Sequence, residues 1–392
     1  MSTHPARTPA LQSRLPQVGT TIFSTMSALA QAHGAVNLGQ GFPDFACDPA
    51  LLDAVNDAMR AGHNQYPLMT GVPALRQGIA AKVAALYGLK LNADSEVTVT
   101  AGATQAILTA ILAIVHPGDE VIVLEPCYDS YAPNIELAGG HVVRVPLTPG
   151  TFRPDFGLIR AALTPRTRAI IINTPHNPTA TVWRPDEMRS FSELLRDTDV
   201  LVISDEVYEH MVFDGVPHCS VASWPELAAR SFIVSSFGKT YHVTGWKVGY
   251  CTAPAALMAE FRKVHQFNVF TVNTPMQHGL ARYLSEPRHH LELPAFYQRK
   301  RDLFRAGLAG SALRLLPSEG SYFQCVDYSA LREQGEWDDL RVCEWLVREI
   351  GVAAIPMSAF YANGSTQRIV RFCFAKQDDT LQRAITQLIK LS

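Results

Sequence analysis

The chain has 392 residues, 47% of them hydrophobic and 18% charged, with a formal net charge of −2 at pH 7. That length exceeds what one small core organises and points to a large domain with a smaller companion, while the composition excludes disorder. The near-neutral balance, with no long block of one sign, gives no reason to expect a nucleic-acid or membrane-surface partner.

Residues 1–16 are polar and proline-bearing and read as a mobile arm. "DPALLDAVNDAMRAG" then has the marks of a helix, with Asp48 as its cap, Pro49 in the first turn and Gly62 beyond its end. "EVTVT" reads as a short strand and "ATQAILTAILAIV" as an apolar helix. Next come "EVIVLEP" (strand), "NIELAGG" (a helix end), "RAIIINTP" (strand) and "RPDEMRSFSELLRD" (helix), then the strands "VLVISDE", "FIVSSF" and "KVGYCTA". These strands are continuous apolar runs, as in a helix-covered and mostly parallel sheet, so the expected class is α/β. After about residue 315 the pattern changes to "SYFQCVDY", a helix through "CEWLVREIG", "VAAIPM", "IVRFCFA" and a final helix, which reads as α+β.

No apolar run approaches the ~18 residues of a membrane span, and the N-terminus lacks a signal-peptide layout, so a cytoplasmic protein is expected. The seven cysteines (Cys47, Cys127, Cys219, Cys251, Cys325, Cys343 and Cys373) form no C-x-x-C pair and read as reduced, packed thiols. The histidines show no H-E-x-x-H spacing, and no metal is expected. "NGS" at Asn363 matches a glycosylation acceptor but carries no meaning in an intracellular protein.

In open α/β sheets ligands bind beyond the carboxyl ends of the strands. The apolar runs here lead into "AGATQ", "CYDSY", "HNPT", "VYEH" and Gly238-Lys239. Each alone fits plain packing: small residues open many helices, Tyr128 fits a core, Asn177 a turn, Asp205 a structural salt bridge, and Lys239 a solvent-reaching chain. Together they fall on one sheet edge, and as a set they suit pyridoxal 5′-phosphate. A lysine forms a Schiff base with an aldehyde. A helix N-terminus, a hydroxyl and a second lysine, Lys247, would take a phosphate. An aspartate keeps a pyridine nitrogen protonated.

The motifs "NLGQGFPDF", "NQYPLMTG", "TAGATQA", "EPCYDSYAP", "NTPHNPT", "SDEVYE", "SSFGKTYHVTGWKVGY" and "RIVRFCFAK" resemble, in order, those of class I aminotransferases of the pyridoxal-phosphate fold type I superfamily, more narrowly the kynurenine and methionine aminotransferase subgroup. The resemblance runs from about residue 12 to the C-terminus. It implies a large domain over 48–312 with a mostly parallel seven-stranded sheet, and a small domain from 17–47 with 313–392. It implies Lys239 as the residue that holds the cofactor and carries the proton, and Asp205 as the partner of the pyridine nitrogen. Asn177 and Tyr208 would meet the ring oxygen and Tyr128 the ring face. Ala103 and Thr104 (by backbone), Ser236 and Lys247 would hold the phosphate. Tyr66 would reach the phosphate of a partner subunit in a homodimer. Arg371, selected over Arg368 by "RFCFAK", would clamp the substrate carboxylate with the Gly41 backbone and Asn177.

Three positions depart from the kynurenine enzymes: Thr271 comes after Phe270 where those carry a histidine, Phe23 stands where they have tryptophan, and Thr104 where some have tyrosine. Phe23, Tyr66, Phe270 and Thr271, with Tyr128 below, outline an apolar pocket for methionine or another large apolar or aromatic donor, with a 2-oxo acid as acceptor. Kynurenine transamination and β-elimination of cysteine conjugates are the alternatives on the same residues. A non-catalytic regulator needs an added DNA-binding module, for which the short stretch before the motifs leaves no room.

Overall fold

The computed structural model describes residues 11–391, so most of the arm read at 1–16 lies outside the described residues. The strands β1 (Val97–Thr100), β2 (Glu120–Glu125), β3 (His141–Pro146), β4 (Thr167–Asn173), β5 (Leu201–Asp205), β6 (Ser231–Ser236) and β7 (Gly249–Thr252) form one seven-stranded sheet in the order β1-β7-β6-β5-β4-β2-β3. β7 runs antiparallel to both β1 and β6, and every other pairing is parallel. The central strands are buried along their length, as their unbroken apolar runs require. The edge strand β3 has no such run; it is mostly part-exposed and carries His141 and Arg144, so apolar patterning does not reveal it.

Helices cover both faces. Helix α1 (Pro49–Arg60) starts where Asp48 Oδ1 accepts from Ala50 N at 2.9 Å, and Gly62 beyond its end takes φ +88°. Helix α2 is Pro73–Tyr87, α3 is Gly102–Ile114 and α4 is Tyr131–Leu137. α3 is apolar nearly all round and packs on β6, β7 and α5 (Ala255–Asn268). Beyond α5 come α6 (Thr274–Leu284) and α7 (Leu293–Gly307).

The C-terminal part forms a four-stranded antiparallel sheet from β8 (Arg314–Leu315), β9 (Phe323–Asp327), β10 (Ile355–Pro356) and β11 (Ile369–Cys373). The register sets Arg371 opposite Cys325 on one side and Ile355 on the other. The N-terminal segment joins this part: Val36–Asn37 pairs in parallel with Val352–Ala353, and Cys373 N donates to Leu38 O. Gly39, Gln40 and Gly41 are thereby laid against β11 and the β8–β9 turn.

Helices α1 and α6 approach each other closely. A Cβ on Gly279 would overlap the Val55 side chain and sit 3.0 Å from its backbone nitrogen. Val55 is stiff at χ1 and its backbone is fixed in α1, so neither yields cheaply. We expect Gly279→Val to destabilise the fold by about 1–3 kcal/mol. A melting temperature equal to that of the unaltered protein would show that the two helices can part.

Candidate active site

The carboxyl ends of β1, β4, β5 and β6 converge on one cavity of about 290 Å³, closed on the far side by β11 and the Gly41 segment. Phe23, Gly41, Ala103, Thr104, Tyr128, Asn177, Asp205, Tyr208, Ser236, Lys239, Lys247 and Arg371 all line it. Tyr66 and Phe270 do not. They stand outside on the surface, 80% and 45% exposed, with their rings edge to face at 5.4 Å. The apolar pocket expected around them is therefore not found at this cavity.

One end of the cavity is an anion cradle. Helix α3 begins at Gly102, which takes φ +79° and leaves room for Lys247, whose Nζ would lie 3.3 Å from a Cβ there. Gly249, on β7, lets the helix start approach more closely still: a Cβ on it would meet Ser235 O at 2.7 Å and Ala103 N at 3.2 Å. Unpaired N–H groups, the positive end of α3, the Ser236 hydroxyl and the Lys247 ammonium thus face one space. That is the donor set a phosphate monoester takes.

Asp205 ends β5 and is buried. Its Oδ2 accepts from Tyr131 Oη at 2.7 Å and its Oδ1 from Val207 N at 3.3 Å. Burial pushes its carboxyl up to about 6, against these hydrogen bonds and the charge of Lys239. Asn173 ends β4 and clips the neighbouring turn in place, donating to Asp205 O at 2.8 Å and accepting from Asn177 N at 2.7 Å. Tyr208 comes three residues after Asp205, buried, with burial pushing its phenol up.

Lys239 sits in the helical turn Phe237–Thr240, which Ser236 caps by accepting from Gly238 N at 3.1 Å. Its Nζ donates to Tyr322 Oη at 2.9 Å and to Gly41 O at 3.3 Å. Burial pulls its ammonium down from the ordinary lysine range to about 8, and the charge of Lys247 adds to that. An amine in this state is available as nucleophile and base near neutral pH.

Arg371, in the middle of β11, is 1% exposed. It donates to Asn177 Oδ1 at 2.6 Å and Gly39 O at 3.2 Å, both neutral oxygens, and its buried Nε has no partner among the described residues. Its guanidinium lies 3.9 Å from the Phe323 ring centroid, 4.8 Å from Phe360 and 5.4 Å from Phe23. A buried cation held by neutral oxygens and aromatic faces is a site for an anion from solution. Arg368, three residues earlier, pairs with Glu336 on the surface at 2.7 Å.

Four neighbours are not evident from the sequence. Ile107 and Phe323 line the cavity, two residues beyond "AGATQ" and one residue beyond Tyr322. Tyr131 and Asn173 stand in "CYDSY" and "NTPHNPT" beside Tyr128 and Asn177; the motifs carry the signal, but residue type alone does not say which phenol or amide faces Asp205.

The family profile of class I and II aminotransferases matches residues 33–388. The methionine aminotransferase of Escherichia coli is 52% identical over 381 residues, covering 97% of this chain and 98% of that protein. A probable N-succinyldiaminopimelate aminotransferase of Mycobacterium tuberculosis is 42% identical over 392 residues, covering 97% and 98%. The crystal structure of the Escherichia coli protein YbdL, for which a methionine aminotransferase function was identified, superposes with a TM-score of 0.96 at 52% identity, covering 98% of this chain and 100% of that one. With a cradle for a phosphate, a base-competent lysine and a carboxylate-seeking arginine in one cavity, and likeness of this depth over nearly its whole length, the chain belongs to the class I and II aminotransferases.

Proposed function

We propose that this aminotransferase carries pyridoxal 5′-phosphate and moves the amino group of methionine, or of another large apolar or aromatic amino acid, to a 2-oxo acid. The observation that carries this reading is Lys239, an amine with lowered basicity set in one cavity with Asp205, an anion cradle and an arginine that no carboxylate of the described residues pairs with.

The residues fit the cofactor. Ala103 and Thr104 through their backbone, Ser236 and Lys247 would hold its phosphate, and Asp205 the proton on its ring nitrogen. Asn177 and Tyr208 would meet its ring oxygen, Tyr128 its face and Lys239 its aldehyde. When bound, pyridoxal 5′-phosphate supplies that aldehyde and a ring that accepts electrons. The chain supplies the rest. Arg371 binds the amino acid's carboxylate, with Asn177 and the Gly41 backbone beside it, and so orients the α-carbon. Lys239 Nζ takes up the α-proton as general base. Phe23, Ile107 and Phe323 present an apolar wall to the substrate side chain.

Methionine is the class favoured by that wall and by the name of the Escherichia coli relative. Full burial of an apolar side chain contributes about 1.5–3 kcal/mol. A second carboxylate brought into the same space without a partner costs several kcal/mol. We expect methionine to exceed aspartate by at least ~100-fold in kcat/KM with one common 2-oxo acid. Aspartate equal to methionine would reject the apolar pocket. Kynurenine far ahead would move the assignment to that donor, and pyruvate with ammonia from a cysteine conjugate would indicate β-elimination.

Only the neutral amine attacks an aldehyde. With its ammonium lowered to about 8, Lys239 should take up pyridoxal 5′-phosphate at a rate that climbs roughly tenfold per pH unit and levels off near that value. Stopped-flow absorbance on cofactor-free protein measures this. A rise continuing to the ordinary lysine range, or a borohydride-fixed adduct at another lysine, would sink the role of Lys239.

A homodimer would bring Tyr66, and Phe270 beside it, to the partner's cavity; their exposure and edge-to-face contact support this. Hybrids of Lys239→Ala and Tyr66→Phe subunits should then regain one intact site and outperform both parent dimers. Activity no better than the Tyr66→Phe dimer's would mean that Tyr66 serves its own chain or none.

A further inference from the structure

Tyr322 is fully buried, and its hydroxyl lies 2.9 Å from the Lys239 amine. Its backbone is fixed from several directions. Ser321, at φ +61°, donates its N–H to Met211 O at 2.8 Å, Tyr322 O accepts from Phe374 N at 3.0 Å, and Ser318 Oγ donates to Phe323 O at 2.9 Å. Its ring stands edge to face with Tyr208 at 5.1 Å and Phe323 at 4.8 Å. Gly41 allows the approach, since a Cβ there would lie 2.9 Å from the Phe323 ring and 3.4 Å from that of Tyr322.

The hydrogen-bond directions are decided by counting donors. Tyr322 has one O–H, and it points at Gly41 O, 2.5 Å away. Toward Lys239 its oxygen can therefore only accept. Lys239 Nζ donates to that oxygen at 2.9 Å and to Gly41 O at 3.3 Å. We infer that Tyr322 is a further catalytic residue, whose hydroxyl oxygen, together with the carbonyl of Gly41, receives the N–H groups of Lys239 whenever that amine is free and so aims its lone pair at the substrate's α-carbon.

In the neutral amine two N–H bonds are directed at the two oxygens, which leaves the lone pair to the cavity. When the amine takes the α-proton, the Cα–H bond breaks, its electron pair stays with the substrate carbon, and the new N–H completes an ammonium. Both oxygens already hold that ammonium, so proton transfer needs no rearrangement of the acceptors. The same contacts favour the charged form and offset part of what burial takes from its basicity. Tyr322 thus keeps Lys239 from becoming too weak a base.

This inference rests on the reading of Lys239 as the proton-carrying amine. The first test avoids that dependence by using cofactor-free protein, whereas the donor assays judge the reading itself. Competitive acetylation by acetic anhydride, mapped to Lys239 by mass spectrometry across pH, gives the apparent pKa of this amine. Tyr322→Phe keeps the ring packing and deletes the acceptor, and we expect that pKa to fall by about one unit, a tenfold change in basicity. Tyr297→Phe is the control: it deletes a buried hydroxyl nearby that has no partner among the described residues, and should leave the pKa where it is. In the cofactor-loaded enzyme, Tyr322→Phe should lower kcat roughly tenfold with KM nearly unchanged, and the isotope effect from an α-deuterated donor should rise. A wild-type labelling profile in Tyr322→Phe, or an equal shift in Tyr297→Phe, would overturn the proposal. If Tyr322→Phe does not fold, a crystal structure of the unaltered enzyme loaded with cofactor and α-methylmethionine, which has no α-proton to give up, decides. The freed Lys239 amine within hydrogen-bond reach of Tyr322 Oη upholds the assignment, and an amine found elsewhere ends it.

Discussion

Three hydrogen bonds in series tie the active edge of the large sheet to the small one. Asn173 donates to Asp205 O, joining the ends of β4 and β5; Asn177 N donates back to Asn173 Oδ1; and Arg371 donates to Asn177 Oδ1 from the middle of β11. Every link is buried, where an unmade hydrogen bond costs the full desolvation of its groups. The series therefore sets how far Arg371 stands from Asp205. Under the proposed function, that distance must suit a substrate held at its carboxylate by Arg371 and reacting at its other end.

Burial then sets the electrostatics. Asp205, Lys239 and Arg371 have all lost most of their water, and desolvation is the largest influence on each. It acts in opposite directions on acid and base: the carboxyl rises to about 6 and the ammonium falls to about 8, so the two approach each other around neutrality. An amine whose basicity lies near neutrality can lose a proton there and act as a base. Neither shift belongs to the residue type; each is produced by the cavity wall.

The same physics explains how much of this is legible in the sequence. The parallel strands announce themselves because burial on both faces forces unbroken apolar runs, as in "AIIIN" and "FIVSS". The edge strand β3 escapes because solvent on one side releases that constraint, leaving "HVVRVP" without a clear signature. Lys239 and Asp205 are legible because they fall with other polar groups on one sheet edge, and Arg371 because the motif "RFCFAK" singles it out. Tyr322 and Tyr131 are not, because a tyrosine in an apolar run is ordinary packing until a structure shows where its hydroxyl points. Tyr66 and Phe270 mark another limit. Nothing in their residue types shows that they stand outside the cavity.

Behind the sheet a second buried network holds the front in place. Glu209, directly after Tyr208, accepts from Lys82 Nζ at 2.6 Å, Tyr87 Oη at 2.6 Å, Ser235 Oγ at 2.5 Å and Tyr250 Oη at 2.9 Å. Burial would raise its carboxyl, but the Lys82 ammonium holds it well below the usual range. Such a pair contributes little net stability over a well-packed apolar one, yet removing one partner costs about 3–5 kcal/mol. Its value here is positional. Strand alternation turns Ser235 toward Glu209 and Ser236 toward the cavity, so the contact that anchors one fixes the other and, with it, the turn that carries Lys239. The two faces of β6 differ in kind. At the back Glu209 has its counter-charge in Lys82, and the segment cannot shift. At the front Arg371 is left with only neutral oxygens, and Lys239 with a phenol and a carbonyl. A site whose arginine has no paired carboxylate keeps its geometry only if the scaffold behind it is over-determined, and the Glu209 network supplies that surplus.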